Sequence, residues 1–534
     1  MLPDFVQLSQ TLSLYVLFPL VLAVPAAALG RLKLESIITD VFSTLGMLFL
    51  AVLSFFTLLQ SQNPLRLLYA WPSFLHANLH LDGLSALFLV TINLIGFAVA
   101  LYSISYMRHF TSRGYFWALF LVMVGAMNGL VLASDLFTLY VFVELAAIAS
   151  YALVAFGCEA EDLEASFKYL VQGSIGSALI LLGIAILYNL TGTLSISDLP
   201  DRLSTLGANP VLLLAAGLLL VGFSVKTALV PFHAWLPDAH PSAPAPISAM
   251  LSGVLIKAVG VYSLCRIFFG VIGLSPALAW LLIYLGAISM IVGVFLAIGQ
   301  IDLKRLLAYH SSSQMGYVVL SIGVGAEVLP RPDLTPALVG VASLAIFGGL
   351  FHLFNHAVFK SLLFLASGSF EQQTGTRILS NMGGLATRMP VTSTCCRVAS
   401  VSIAGVPPFN GFFSKLIILI AVVSAGHYWL AAATVFVSFM TLCSFIKVQR
   451  YALHGELPHN LRNVREAPVL MCAGMILLTV VCCLGGLGVL YYGPVLFDPA
   501  VNMLTAKYMP YYIDYIPIPS DPVVTTSFDP GARP

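Results

Sequence analysis

Charge is what this chain has least of: only 9% of its 534 residues are Asp, Glu, Lys or Arg, against 59% hydrophobic residues, and the mean hydropathy is +0.96. So little charge excludes a soluble globular domain and leaves a polytopic membrane protein. The formal net charge is +1, so no field of either sign favours nucleic acid or an acidic substrate. Cysteine is sparse and never spaced as CxxC. The eight cysteines are scattered through apolar stretches (Cys158, Cys265, Cys443, Cys472) or adjacent (Cys395 with Cys396, Cys482 with Cys483), which suits small core residues better than a metal site or redox dithiol. The first ten residues, MLPDFVQLSQ, hold no Lys or Arg. Without a basic n-region the start reads as a first membrane helix and not as a cleaved signal peptide.

What is present is a succession of long apolar runs. At about 20 residues per crossing they give about fourteen spans, roughly at 10–30, 36–60, 82–106, 116–134, 136–157, 167–190, 211–235, 244–269, 277–299, 305–325, 336–366, 391–425, 428–449 and 467–492. The connecting loops sort by charge. One side collects Arg31, Lys33, Arg108, Arg113, Lys168, Lys304, Arg305, Lys360, Arg377, Arg388, Arg397, Lys447, Arg450, Arg462 and Arg465; the other holds Arg66, Arg202, Arg266, Arg331, Lys507 and Arg533. The richer side is expected to be cytoplasmic, which puts both termini outside and requires an even number of spans. From about residue 493 the chain turns polar and rich in Pro and Tyr, an irregular tail that is disordered or lies across a neighbouring subunit.

Against that apolar background Lys226, Lys257 and Lys415 stand deep inside spans, where an ionisable group is a functional hypothesis by default. Lys226 precedes Pro231 and Pro237 in VKTALVPFHAWLPDAHP, and Lys415 follows Gly405, Pro407, Pro408 and Gly411 in AGVPPFNGFFSKL. Both spans are thus expected to be broken helices, which at membrane depth line ion or substrate sites. Glu144, in LYVFVELAAIASY, is the sole carboxylate near the middle of any span. A lone buried carboxylate takes up a proton and a lone buried lysine gives one up, whereas together they remain ionised. A Glu144–Lys226 pair is therefore expected, and its strength would decide whether Lys226 keeps its proton.

His310 lies in LAYHSSSQMGY, and His352, His356 and Lys360 recur every four residues in FHLFNHAVFKSLLFL, on one helical face. Such a stripe suits a proton relay. It also fits histidines that merely pack beside a kink, and the i, i+4 spacing fits two metal ligands, although no third ligand recurs nearby. Lys360 can equally snorkel to the interface, and Asp135 and Asp302, close to span ends, can equally be helix caps.

At these motifs the chain becomes recognisable. VKTALVPFHAWLPDAHPSAPAPISAMLSGVLIKAVGVYSLCRI, DLKRLLAYHSSSQMGYV, FNHAVFKSLLFLASGS and AGVPPFNGFFSKL, in that order, strongly resemble the antiporter-like subunits of respiratory complex I, a superfamily that includes the Mrp sodium/proton antiporters and the membrane arms of energy-converting hydrogenases. The resemblance runs from about residue 80 to 450. It implies an all-α fold of fourteen helices with two inverted five-helix repeats whose seventh and twelfth helices are broken: N-terminal helices over 1–110, repeats over 111–270 and 271–450, a last helix over 451–492 and the tail over 493–534. It also implies that Glu144, Lys226, Lys257 and Lys415 carry protons. Lysine at 415 departs from the complex I subunit that has glutamate there and is closer to its paralogues. The long lateral helix of the largest relatives has no counterpart in this sequence.

The expectation is a proton, or sodium/proton, translocating subunit of a bacterial or archaeal cell membrane, working beside other hydrophobic subunits and peripheral redox subunits. The sequence carries no Fe–S, flavin, haem or quinone signature, so no cofactor and no metal is expected in this chain. A proton would pass from Lys226 by Lys257 and the His310, His352 and His356 region to Lys415. Two rivals remain: a stand-alone transporter of a small organic solute, and a scaffold that conducts nothing.

Overall fold

The structure is a computed structural model that describes residues 5–32, 37–60, 67–70, 78–207 and 209–508. Lys33, Arg66 and Arg533 of the charge sorting, and the tail from 509 onward, lie outside them. Among the described residues the chain is almost wholly helical, with a single antiparallel hairpin, Leu67–Ala70 against Asn78–Leu81, in which Leu67 faces Leu81.

Helix starts are written locally. Asn209, Ser275 and Thr335 each precede a proline, and in each case the side chain accepts a hydrogen bond from the second or third backbone N–H of the helix that follows: Pro210–Thr227, Pro276–Ile298 and Pro336–Thr374. Proline at the first position needs no amide partner and presets φ. Asp135 and Asp302 turn out to be caps of the same kind, accepting from Thr138 and Arg305. The longest helix, Pro336–Thr374, stops where Gly375 takes φ +71°.

Twelve helices among the described residues are long and apolar enough to cross a membrane. Leu303–Val328 falls outside that set because the run His310 to Gln314 dilutes its apolar character. It packs closely against Pro276–Ile298 through small residues: a Cβ on Gly286 would collide with the Leu320 amide, and one on Gly316 with the Met290 amide. Backbone approach of that kind is how helices associate where lipid removes the hydrophobic drive.

Two spans are interrupted as expected. Pro210–Thr227 ends at Ala228, which adopts the left-handed conformation (φ 57°), and the chain resumes as Leu236–Ser242. Pro390–Ala404 ends at Gly405 (φ 82°) and resumes as Asn410–Ser424. Backbone groups left open by the first break find partners. Trp235 Nε1 donates to Val225 O at 3.0 Å, and Ser289 Oγ accepts from Val230 N at 2.9 Å. The helix Ala245–Ile272 is wound with π-type bonding over Leu251–Tyr262, the stretch that carries Lys257; such winding is rare and concentrates at functional sites.

Three sequence readings change. Lys360 does not snorkel: its helix runs on to Thr374, and the side chain is buried with Nζ 5.7 Å over the Phe364 ring. Arg266, sorted with the loop charges, is buried at the end of the Lys257 helix, where Asp82 takes its guanidinium in two bonds and Ser85 and Tyr262 add a hydroxyl each. Bidentate pairing of this sort is what allows an arginine to be buried. Residues 489–496 and 498–505, placed in part within the polar tail, form two short helices, the second packed on Gly83–Tyr106.

Candidate functional site

The Glu144 helix, Leu136–Val154, and the Lys226 helix meet on either side of Ala160–Thr191. Lys226 Nζ lies 3.7 Å from Glu144 Oε1. Ser177, from the intervening helix, donates to the same carboxylate oxygen and also to Gly173 O at 3.1 Å. Lys226 is 6% exposed, and its ammonium has no hydrogen-bond partner among the described residues. Glu144 is thus its sole close counter-charge there, at a distance longer than a hydrogen bond. Next to it is a cavity with room for about one water, lined by Tyr169, Gly173, Trp235 and Leu255 among others. Trp235 forms its wall because it stacks on Tyr169, 4.2 Å between ring centres. The first break therefore places a loosely held lysine, a carboxylate and a water-sized space together.

Lys257 lies deeper, 1% exposed, and donates to the Ser252 carbonyl five residues back, the reach that π-winding opens. Ser252 Oγ bonds Ser311 Oγ at 2.7 Å, which joins this helix to the residue after His310. His310 Nε2 meets Ser444 Oγ at 2.8 Å and leaves Nδ1 without a partner among the described residues. His356 is buried with neither ring nitrogen bonded among the described residues, within the fields of Lys257 and Lys360. A fully buried imidazole without partners is costly unless water supplies them.

The line continues at the second break. His352 Nδ1 pairs with Ser414 Oγ at 2.9 Å, and its Nε2 with Gln314 Oε1 at 3.1 Å. Ser414 is the neighbour of Lys415, whose Nζ donates to Ile403 O at 2.8 Å and Ser438 Oγ at 3.1 Å and lies 5.0 Å from the centre of the Tyr317 ring. Ile403 is in the last turn of the half-helix Pro390–Ala404, where carbonyls are open and a cation is favoured. Asn355 and Asn410 exchange hydrogen bonds across the same junction, which fixes the Lys415 half-helix against the histidine helix.

Of the eight residues singled out in the sequence, Lys226 pairs with a partly exposed Glu144, and Lys257 is linked through Ser252 and Ser311 to the residue after His310. His352 is linked to Ser414, the neighbour of Lys415, and His356 and Lys360 lie in the field of Lys257. The serines and Gln314 that bridge them carried no sequence signal, because Ser is common in membrane helices and bonds its own turn as readily. His240 was also missed. It is fully buried against Phe364, ring centres 4.7 Å apart, and its position in a proline-broken segment at membrane depth was the available clue.

The sequence profile described as NADH:quinone oxidoreductase/Mrp antiporter, TM, matches residues 133–329 and 334–441, and a second, described as NADH-Ubiquinone oxidoreductase (complex I), chain 5 N-terminus, matches 73–117. The chain belongs to this family. It is 36% identical over 405 residues to NADH-quinone oxidoreductase subunit N of Desulforudis audaxviator, covering 74% of this chain and 77% of that protein. To a Na(+)/H(+) antiporter subunit of Alkalihalophilus pseudofirmus it is 31% identical over 420 residues, 78% of this chain and 82% of that one. Its fold superposes on a chain of the Mrp complex from a Dietzia species with a TM-score of 0.83 at 25% identity, covering 94% of this chain and 98% of that one. This family member is accordingly a multi-pass integral membrane protein.

Proposed function

We propose that this chain is the proton-translocating membrane subunit of a multisubunit complex of the complex I, membrane-bound hydrogenase or Mrp type. The observation that carries the reading is the Glu144–Lys226 pair, 3.7 Å apart at a helix break, with no second partner for Lys226 among the described residues. A proton rests on Lys226 while Glu144 favours the charged form; weakening the pair expels it toward Lys257, the water-dependent histidines, and then Lys415. Moving one charge against a membrane potential costs about 2.3 kcal/mol per 100 mV. Removing one partner of a fully buried pair costs roughly 3–5 kcal/mol; with Lys226 buried and Glu144 partly exposed that is an upper bound here, which still reaches the scale of the step.

In this reading Leu303–Val328 and the broken pair Pro390–Ala404 and Asn410–Ser424 join the twelve long helices to make fourteen crossings, with Lys226 and Lys415 in corresponding positions of two inverted repeats and both termini outside. Peripheral redox subunits or a sodium gradient supply the energy. The water-sized cavity beside Lys226 favours protons or a small cation over an organic solute.

Reconstitution tests the proposal. The complex that co-purifies with this chain in mild detergent is expected to drive proton or sodium flux in proteoliposomes, and the isolated chain to drive none. Uptake of an organic solute by the isolated chain would support the stand-alone transporter, and an unchanged flux from a complex lacking this chain would support the scaffold.

A further inference from the structure

The stripe of the long helix Pro336–Thr374 does not end at Lys360. Ser367 and Glu371 continue it on the same face toward the lysine- and arginine-rich end of the molecule. Lys360 Nζ and Ser367 Oγ are buried and bonded to no protein group among the described residues. His240 joins them from the half-helix Leu236–Ser242 that follows the Lys226 break. Both of its ring nitrogens are buried and unbonded among the described residues, and it shares the Phe364 ring with Lys360. Successive buried polar groups without protein partners call for water, and a file of water conducts protons.

The outer end of this file is shut by charge. Lys304, 2% exposed, pairs with Glu371 at 2.8 Å, and Arg377 reaches the same carboxylate at 3.8 Å. Each cation also holds an open carbonyl at the end of the His240 half-helix: Lys304 bonds Ala243 O at 3.2 Å, and Arg377 bonds Pro241 O at 2.7 Å. Asp302 takes the other side of Arg377 at 3.1 Å. Tyr102 and Tyr106, from the helix Gly83–Tyr106, lie in the field of Glu371, and Asp162 lies in the field of both cations from Ala160–Thr191. Glu371 is the closest carboxylate to Lys304, whereas Arg377 is held more closely by Asp302.

We propose that Glu371 gates a proton inlet running from the lysine- and arginine-rich end, past Ser367 and His240, to Lys360 and Lys257. A proton bound to Glu371 removes the charge that holds Lys304, while Arg377 keeps Asp302. The Lys304 bond to Ala243 O loosens, the end of the His240 half-helix moves away, and water reaches His240. When the proton passes inward the carboxylate is restored and the inlet closes. The inference rests on the proton-carrying reading above but concerns access and not the Glu144–Lys226 store.

The test reads accessibility in the resting complex, so it does not depend on transport. A Ser367→Cys variant of the assembled complex is exposed to a small neutral methanethiolsulfonate, and modification at position 367 is followed by peptide mass spectrometry, which separates it from the native cysteines. Labelling is expected to be slow, and about tenfold faster when Glu371→Gln is added. Lys304→Gln, which removes the lysine's bond to Ala243 O while leaving the carboxylate in place, should raise it similarly and serves where Glu371→Gln does not assemble. Unchanged labelling in the variants that assemble would overturn the gate. Failure of the store is seen separately, as normal flux in Glu144→Gln.

Discussion

Lys226→Ala is expected to reduce ion translocation by the assembled complex to background, and Lys226→Arg is expected not to restore it. Lys226 Nζ has Glu144 at 3.7 Å, no hydrogen-bond partner among the described residues, and a neighbouring space the size of one water. Nothing there fixes an ammonium permanently, and everything there suits a group that gains and loses a proton. A guanidinium is effectively always protonated and cannot release its proton. Proton flux into sealed vesicles, with assembly checked by co-purification, measures both variants. Normal transport by Lys226→Arg would make the residue an electrostatic post and move the release step elsewhere.

The second large effect is expected at Lys415. Its bond to Ile403 O at 2.8 Å offers a plain structural account, a lysine capping the open end of a half-helix, while its link through Ser414 to His352 offers a proton-exchanging one. Alanine removes both roles and should abolish net flux. Glutamate cannot cap a carbonyl when ionised, yet a buried carboxyl exchanges protons as a buried amine does, and glutamate stands at this place in resembling subunits. Partial flux from Lys415→Glu and none from Lys415→Ala is the expected result, measured in the same vesicles. Equal flux in the two variants would exclude proton exchange at this site and leave the cap as its role.

The fold was legible in proportion to how local its signals are. Hydropathy marked the long helices and Pro231 and Pro408 marked the breaks, while the Asn-Pro, Ser-Pro and Thr-Pro steps that start three helices went unused. The Glu144–Lys226 pairing was legible because one mid-span carboxylate left little choice of partner. What escaped depends on contacts distant in sequence. Lys304 and Arg266 read as loop charges because Glu371 and Asp82, which make their burial possible, are far away along the chain. Lys360 could equally be read as interfacial or functional because its span was expected to end near 366, whereas the helix continues to Thr374. His240 was passed over because it falls between the spans expected at 211–235 and 244–269, although tertiary packing turns that segment inward against Phe364. The short helices at 489–496 and 498–505 are too short to stand out as spans, and the second forms where Gly83–Tyr106 offers a surface.

The measurement closest to the central claim is proton flux through the reconstituted, assembled complex with Glu144→Gln. The substitution keeps the size of the side chain and its contact with Ser177 but removes the charge that holds the proton on Lys226, so strongly impaired flux with normal assembly is the result expected. Wild-type flux in that variant would contradict the account, because the pair on which storage and release depend would then be dispensable.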